Sequence, residues 1–184
     1  LFPAVAVLNL YDASTGSPLT GSYSINNPIN VEARFSIEEN GIAVDSNRIE
    51  SITLSYNGQV INIPPQTTKW TITNISNTTT FTITYVLTNG TTKTTSKSVS
   101  FYVPTVTASI KLYKAGTNIS ISGSYEYGTP VNVEARISIT EDGVALDDYK
   151  IGNIKLVYGS KTVNIPAKTT KYVIDEGISN TTTF

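Results

Sequence analysis

The sequence contains no cysteine, no histidine and no methionine. With them go disulfides, thiol nucleophiles, imidazole acid/base chemistry and the usual soft-metal ligands. Most enzymatic mechanisms lose their working parts at this step. The absence of cysteine does not fix a compartment, because a module near 100 residues buries enough apolar surface to fold without staples.

Charge is also scarce. Thirteen Lys and Arg against fourteen Asp and Glu leave a net charge of −1 over 184 residues, with no basic run. An electrostatic grip on nucleic acid therefore has no visible source. No apolar stretch approaches the roughly 18–20 residues needed to span a bilayer as a helix, so no membrane insertion is expected in this segment. The chain opens Leu1-Phe2-Pro3 with neither a start residue nor a basic leader. It reads as an internal or processed segment of a longer polypeptide.

What is present is a pattern written twice, displaced by about 102 residues. Leu10-Tyr11 returns as Leu112-Tyr113, Gly21-Ser22-Tyr23 as Gly123-Ser124-Tyr125, and Val31-Glu32-Ala33-Arg34 as Val133-Glu134-Ala135-Arg136. Asn62-Ile63-Pro64 returns as Asn164-Ile165-Pro166, and Ser76 to Phe81 as Ser179 to Phe184 after a one-residue insertion. Such a period is too long for a solenoid and suits whole domains in series. Pro3 and Pro104 head the two copies, which places repeat 1 at 1–103 and repeat 2 at 104–184. Val103-Pro104-Thr105 joins them without a Gly/Ser spacer, so a short, semi-rigid junction and a rod-like arrangement are expected.

Within a copy the period is two. Ile29 to Ile37 alternates apolar and polar without a break, the signature of a half-buried strand. Asn40-Gly41 follows, with Asp142-Gly143 in the second copy; both pairs supply the positive φ of a tight hairpin turn. Ile52 to Tyr56, the turn at Asn57-Gly58 and a return through Ile61 and Ile63 form a second hairpin. Thr80 to Tyr85, the turn at Asn89-Gly90 and an outgoing strand with Val99, Phe101 and Val103 form a third. Threonine, valine, isoleucine and tyrosine suit pleated sheet, and no segment sustains a 3.6 period. Adding strands near Val5–Tyr11 and Lys69–Ile72 gives about seven per copy. The expectation is all-β: two tandem immunoglobulin-like β-sandwiches. The second lacks its last strands, because about 22 residues after Phe81 have no counterpart after Phe184. The first reading is that the sequence simply stops before those strands; the second is that a neighbouring chain supplies the missing strand by β-addition.

No residue set spells a catalytic, cofactor or metal site. Asp147-Asp148 and Glu141-Asp142 resemble calcium ligands, yet the first copy has Asp45-Ser46 and Glu39-Asn40 there, and turn chemistry accounts for them. Glu32/Arg34 and Glu134/Arg136 sit two apart on a polar strand face and read as solvated charges. Trp70, with Tyr172 as its equivalent, reads as packing rather than a sugar platform. Tyr23, Tyr125 and Tyr127 are candidate surface contacts, since rings with a polar tip suit carbohydrate. Asn74, Asn77, Asn89, Asn118 and Asn180 open Asn-x-Ser/Thr patterns and are candidate N-glycosylation sites.

The succession Pro28 to Arg34, Ile49 to Leu54, and Asn77 to Tyr85 with Asn89-Gly90-Thr91-Thr92 resembles the immunoglobulin-like repeats of tailed-phage virion fibre and decoration proteins. It is also similar to stalk repeats of microbial surface adhesins. The resemblance implies a non-enzymatic structural module, extracellular on a virion or cell surface, whose partners are subunits of the same assembly. A glycan- or receptor-binding module of an adhesin is the alternative, and an accessory domain of a secreted hydrolase a third.

Overall fold

The computed structural model describes residues 3–184. The chain divides into two compact units that meet at Pro104/Thr105. It is all-β: among the described residues there is no α-helix, and two three-residue 3₁₀ turns, Ser46–Arg48 and Asp148–Lys150, are the only helical segments.

The first unit holds β1 (Ala4–Asp12), β2 (Ser22–Ser24), β3 (Ile29–Glu39), β4 (Ile42–Ala43), β5 (Ile49–Tyr56), β6 (Gln59–Ile63), β7 (Lys69–Ile75), β8 (Thr79–Leu87) and β9 (Thr92–Tyr102). They form two sheets. In one, β3 is flanked by β1 on one side and by β4 and β7 on the other; the second runs β2-β9-β8-β5-β6. Period-two alternation dictates which side chains meet between them. Leu8, Leu10, Val31, Ala33, Phe35 and Ile37 from the first sheet are buried in one cluster with Ile52, Leu54, Phe81, Ile83, Tyr85 and Val99 from the second. At about 25 cal/mol per Å² of apolar surface, this shared interior is the main favourable term of the unit.

Turn chemistry sets the register. Asn40 and Gly41 adopt φ of 52° and 75°, and Asn57 and Gly58 adopt 48° and 76°. Both hairpins thus use the positive-φ pair that matches strand twist. The third hairpin differs. Only Gly90 is left-handed, while the Asn89 side chain accepts the Thr91 N–H at 3.0 Å, an Asx turn that opens a longer loop. Val103 lies one residue past the end of β9 and is exposed. Nine strands stand where about seven were expected. The additions are β4, too short to show a period, and β2, which pairs in parallel with β9.

The second unit holds β10 (Val106–Lys114), β11 (Val131–Glu141), β12 (Val144–Ala145), β13 (Ile154–Tyr158), β14 (Lys161–Ile165) and β15 (Lys171–Ile178). Sheet β10-β11-β12 with β15 repeats the first sheet, and its register is the same residue for residue: Tyr113 faces Glu134 as Tyr11 faces Glu32. The inserted residue sits in a bulge. Between Val31 and Ile29, β7 advances from Ile72 to Ile75; between Val133 and Val131, β15 advances from Ile174 to Ile178. Asn74 absorbs the first bulge at φ 62° and Gly177 the second at φ 70°. The opposing sheet of the second unit consists of β13 and β14 alone among the described residues.

Trp70 is the sole tryptophan and packs partly buried on the first unit's core, so its fluorescence reports that unit. Leu54→Ala should lower the first unit's stability by about 2–5 kcal/mol through transfer and cavity terms, read as an earlier urea midpoint in tryptophan emission. Gly177→Ala should leave that transition in place. A Cβ there would meet Pro130 Cβ at 2.8 Å in a left-handed backbone, and the expected cost of roughly 1–3 kcal/mol should appear only in the circular-dichroism transition of the second unit.

Candidate functional site

A polar constellation that is built twice lies on the outer face of the β1–β3–β7 sheet. Alternation turns Glu32 and Arg34 outward from β3, and the antiparallel register brings Tyr11 opposite Glu32 and Lys69 opposite Arg34. Arg34 Nε donates to Glu32 Oε1 at 2.6 Å, its guanidinium lies 3.9 Å from the Tyr11 ring centroid, and Lys69 Nζ is 3.5 Å from Glu32 Oε2. The hydrogen bond from Arg34 holds the Glu32 carboxyl below the usual carboxylate range.

In the second unit Arg136 Nε donates to Glu134 Oε1 at 2.5 Å and stacks 3.7 Å from the centroid of Tyr113. One Nη donates further to the Thr117 carbonyl and to Asn118 Oδ1, both at 2.9 Å. Glu134 is itself buried. These residues are not the freely solvated charges expected from the linear pattern. A flat guanidinium sandwiched against a ring and tied to a carboxylate is a fixed plate. The alternation of β3 could not show it, because the tyrosine comes from another strand.

A second pairing braces the β3–β4 turn. Arg48 donates to both oxygens of Glu39, at 2.9 and 2.7 Å, and Lys150 reaches Glu141 in the same place at 3.2 Å. The Arg48 contact lowers the pKa of Glu39, and Glu39 in turn raises that of Arg48. The acidic residues that resembled calcium ligands are absorbed here. Asp147 precedes the 3₁₀ turn, and Asp142 Oδ1 accepts the Thr105 N–H at 2.9 Å. Among the described residues no three Asp or Glu side chains converge as a metal site.

Along β8 and β9 the outer face of the other sheet in the first unit is lined with hydroxyls. Thr80 pairs with Ser98 at 2.8 Å, Thr82 with Ser96 at 2.7 Å and Thr84 with Thr94 at 3.1 Å. Each is a direct cross-strand pair in the β8–β9 register. Such pairs contribute roughly 0.2–1 kcal/mol apiece, so the hydroxyls serve the hairpin first.

The three candidate tyrosines part company. Tyr23 lies on β2, half-buried, its ring 6.0 Å from that of Phe101 and its hydroxyl donating to the Thr20 carbonyl at 3.4 Å. Tyr125 and Tyr127 are exposed and border a groove of about 320 Å³ that also contains Leu112, Ile121 and Phe184. Lys114 Nζ stands 5.3 Å from the Tyr125 ring.

The five candidate glycosylation sites are all exposed. Asn77 precedes β8 and Asn89 follows it, so they lie at opposite ends of that strand. Asn74 occupies the β7 bulge, where Asn30 Oδ1 accepts its N–H at 3.0 Å. Asn118 is engaged by Arg136. The Thr79 hydroxyl of the Asn77 pattern is buried and donates to the Asn77 carbonyl at 2.8 Å. Asn180 accepts the Thr182 hydroxyl through its carbonyl at 3.0 Å.

In the second unit Tyr158 donates to Glu176 at 2.7 Å, and Lys161 closes on the same carboxylate. The bond to Glu176 is the main cause that pushes the Tyr158 phenol up to about 12. Burial alone raises Tyr85 in the first unit. Among the described residues no helix is long and apolar enough to cross a membrane. Compared with protein families, curated proteins and solved structures, the chain matches none.

Two titrations follow. Glu32, Glu39 and Glu176 all have folded pKa values below their unfolded ones. Their stabilising effect is complete above an unfolded carboxylate pKa of about 4.3 and is lost as pH falls through the lower folded values. The urea midpoint should therefore decline on acidification below about pH 5, and the gap between wild type and Glu39→Gln, present at neutral pH, should close in acid. On the alkaline side, ultraviolet titration should show Tyr85 and Tyr158 ionising above the ordinary phenol value of about 10; Tyr158→Phe should remove one late-titrating phenol.

Proposed function

We propose that the chain is a pair of tandem immunoglobulin-like sandwiches acting as a non-enzymatic structural module of a virion fibre or surface appendage, a spacer and assembly element. The observation that carries this reading is where the strands of the first unit begin and end. β1 starts at Ala4 opposite Glu39, in the region where Arg48 is bonded to Glu39 and the Arg48 carbonyl accepts the Thr88 N–H. β9 ends at Tyr102, whose carbonyl accepts the Ile25 N–H, beside Thr78 and Phe101 at the other end of β8. The backbone therefore arrives at one end of the sandwich and leaves at the other, about eleven residues of strand or roughly 35 Å away. A module that transmits load or distance along a series needs that arrangement.

Two further facts support it. The β1–β3 register, the turn after β3 and the Tyr-Glu-Arg plate recur between copies. Pulling at the ends loads the nine-residue β1–β3 ladder along the strands, so its hydrogen bonds are sheared together.

A second reading rests on Tyr125 and Tyr127 beside their groove, which suit a glycan face. It predicts binding on a glycan array that Tyr127→Ala abolishes, and silence on the array removes it.

Single-molecule force spectroscopy on the full chain tests the spacer reading. The first unit should open in one cooperative event that releases roughly 300 Å of contour, from about 3.4 Å for each of some 100 residues less the roughly 35 Å already spanned when folded. Val7→Pro, which breaks the β1 ladder opposite Ser36, should lower the opening force. Gradual extension without such an event would sink the reading.

A further inference from the structure

Tyr85 projects from β8 into the interior of the first unit and is only 2% exposed. Unlike Tyr23 and Tyr158, whose hydroxyls donate to Thr20 and Glu176, its phenol makes no hydrogen bond among the described residues, and burial is the sole cause acting on its pKa. Every fully buried side-chain nitrogen or oxygen among the described residues does have a partner. The small exposed part of Tyr85 therefore includes its hydroxyl oxygen, which meets a cavity of about 200 Å³ that Tyr85 lines.

The cavity belongs to the interior of the first unit. Phe35 and Ile37 of β3 and Val44 just after β4 are its buried, apolar lining, while Ser46, Gln66 and Thr68 are exposed at its rim. One wall is the turn between β6 and β7, stiffened by Pro64 and Pro65. The Thr67 N–H closes that turn on the Pro64 carbonyl, and the Phe35 N–H ties it to β3 through the Thr68 carbonyl, both at 2.9 Å. The other wall is the chain leaving β4, where the Val44 N–H donates to the Ile37 carbonyl at 2.8 Å. Both walls are hydrogen-bonded to the same strand, so the cavity is formed before anything enters it, which spares the cost of ordering.

Size and chemistry select the occupant. An apolar cavity of about 150 Å³ takes a benzene-sized molecule, so a five- or six-membered ring fits. No charged side chain lines the cavity, and an ion entering it would lose its hydration without a counter-charge. The buried phenol stays protonated at neutral pH and offers one hydrogen bond to an acceptor. At the places of Phe35, Pro65 and Gln66 the second unit has Ile137, Ala167 and Lys168, so these features belong to the first unit alone.

We propose that this cavity is a binding site for a small uncharged ring carrying one carbonyl oxygen, a cyclic ketone or lactam. The oxygen accepts the Tyr85 hydroxyl, and the hydrocarbon lies on Phe35, Ile37 and Val44. The site is independent of the spacer reading, which rests on where the strands begin and end.

The probe is cyclohexanone, titrated into the full chain while the methyl resonances of Ile37 and Val44 are followed by nuclear magnetic resonance. They should shift and saturate at millimolar probe. Tyr85→Phe keeps the ring and removes the donor. It should weaken binding by about tenfold, a loss of about 1.4 kcal/mol, and leave the tryptophan-monitored urea midpoint unchanged or higher, because a buried hydroxyl without a partner holds nothing in the fold. Cyclohexylamine, with the same ring and an ammonium group in place of the carbonyl, should not bind.

Absence of saturable shifts at Ile37 and Val44 would overturn the proposal. So would equal affinity in Tyr85→Phe, which leaves the hydroxyl no part in binding, or equal affinity for cyclohexylamine, which removes the selection for an uncharged acceptor. A lower urea midpoint in Tyr85→Phe would give the hydroxyl a structural role and sink the argument at its premise. Shifts confined to methyls of the second unit would mark adventitious apolar contact and reject the site. The opening force of the first unit is measured without the probe, so failure here is distinguishable from failure of the spacer reading.

Discussion

Val31, Ala33, Phe35 and Ile37 stand on one face of a single eleven-residue strand, and the first unit is organised around keeping water from them. β1 and β7 pair with that strand and contribute Leu8, Leu10, Ile72 and Ile75 to the same interior, while the facing sheet supplies Leu54, Phe81, Ile83 and Tyr85. A slip of one residue in the pairing of β3 would turn all four outward. The turns therefore matter as much as the core. Asn40-Gly41 and Asn57-Gly58 fix loop length, loop length fixes register, and register decides which side chains are dry. Glu39–Arg48 then ties the first turn to the 3₁₀ segment that starts β5.

The same strand pairing is written twice in the chain. Val133, Ala135 and Ile174 remain buried in the second unit, where β10, β11 and β15 repeat the pairing of β1, β3 and β7. Ile137 and Ile139 of that sheet are only partly buried.

Much of this was legible in the residues. Alternation located β3, β5 and β8, and Asn-Gly pairs located two hairpin turns with their positive φ. Composition argued for sheet over helix throughout. What escaped has a common cause. β2 is three residues long and pairs in parallel with a strand some 78 residues away, so no local period marks it. The Tyr11–Glu32–Arg34 plate joins two strands through a register that only the folded sheet defines, and reading β3 alone made its charges look free. Asn89-Gly90 resembled the other turns in sequence, but Asn89 spends its side chain on the Thr91 N–H and leaves only Gly90 left-handed. Tyr23 resembled Tyr125 by position and differs by burial, because Phe101 stands beside it.

The two tight turns of the first unit also carry a chemical clock. An asparagine followed by glycine is the pair most prone to cyclise through the next backbone nitrogen and reopen as aspartate or isoaspartate, and Asn40 and Asn57 both sit in that position. The iso form threads an extra carbon through a loop whose length sets the strand pairing, and either product adds a negative charge to a protein whose net charge is only −1. At the matching places the second unit has Asp142 before Gly143, which reopens from the same ring as isoaspartate without a change of charge, and Gly159 before Ser160, which forms no such ring. Slow ageing would therefore be uneven, with charge gained at these turns of the first repeat and not at their counterparts in the second.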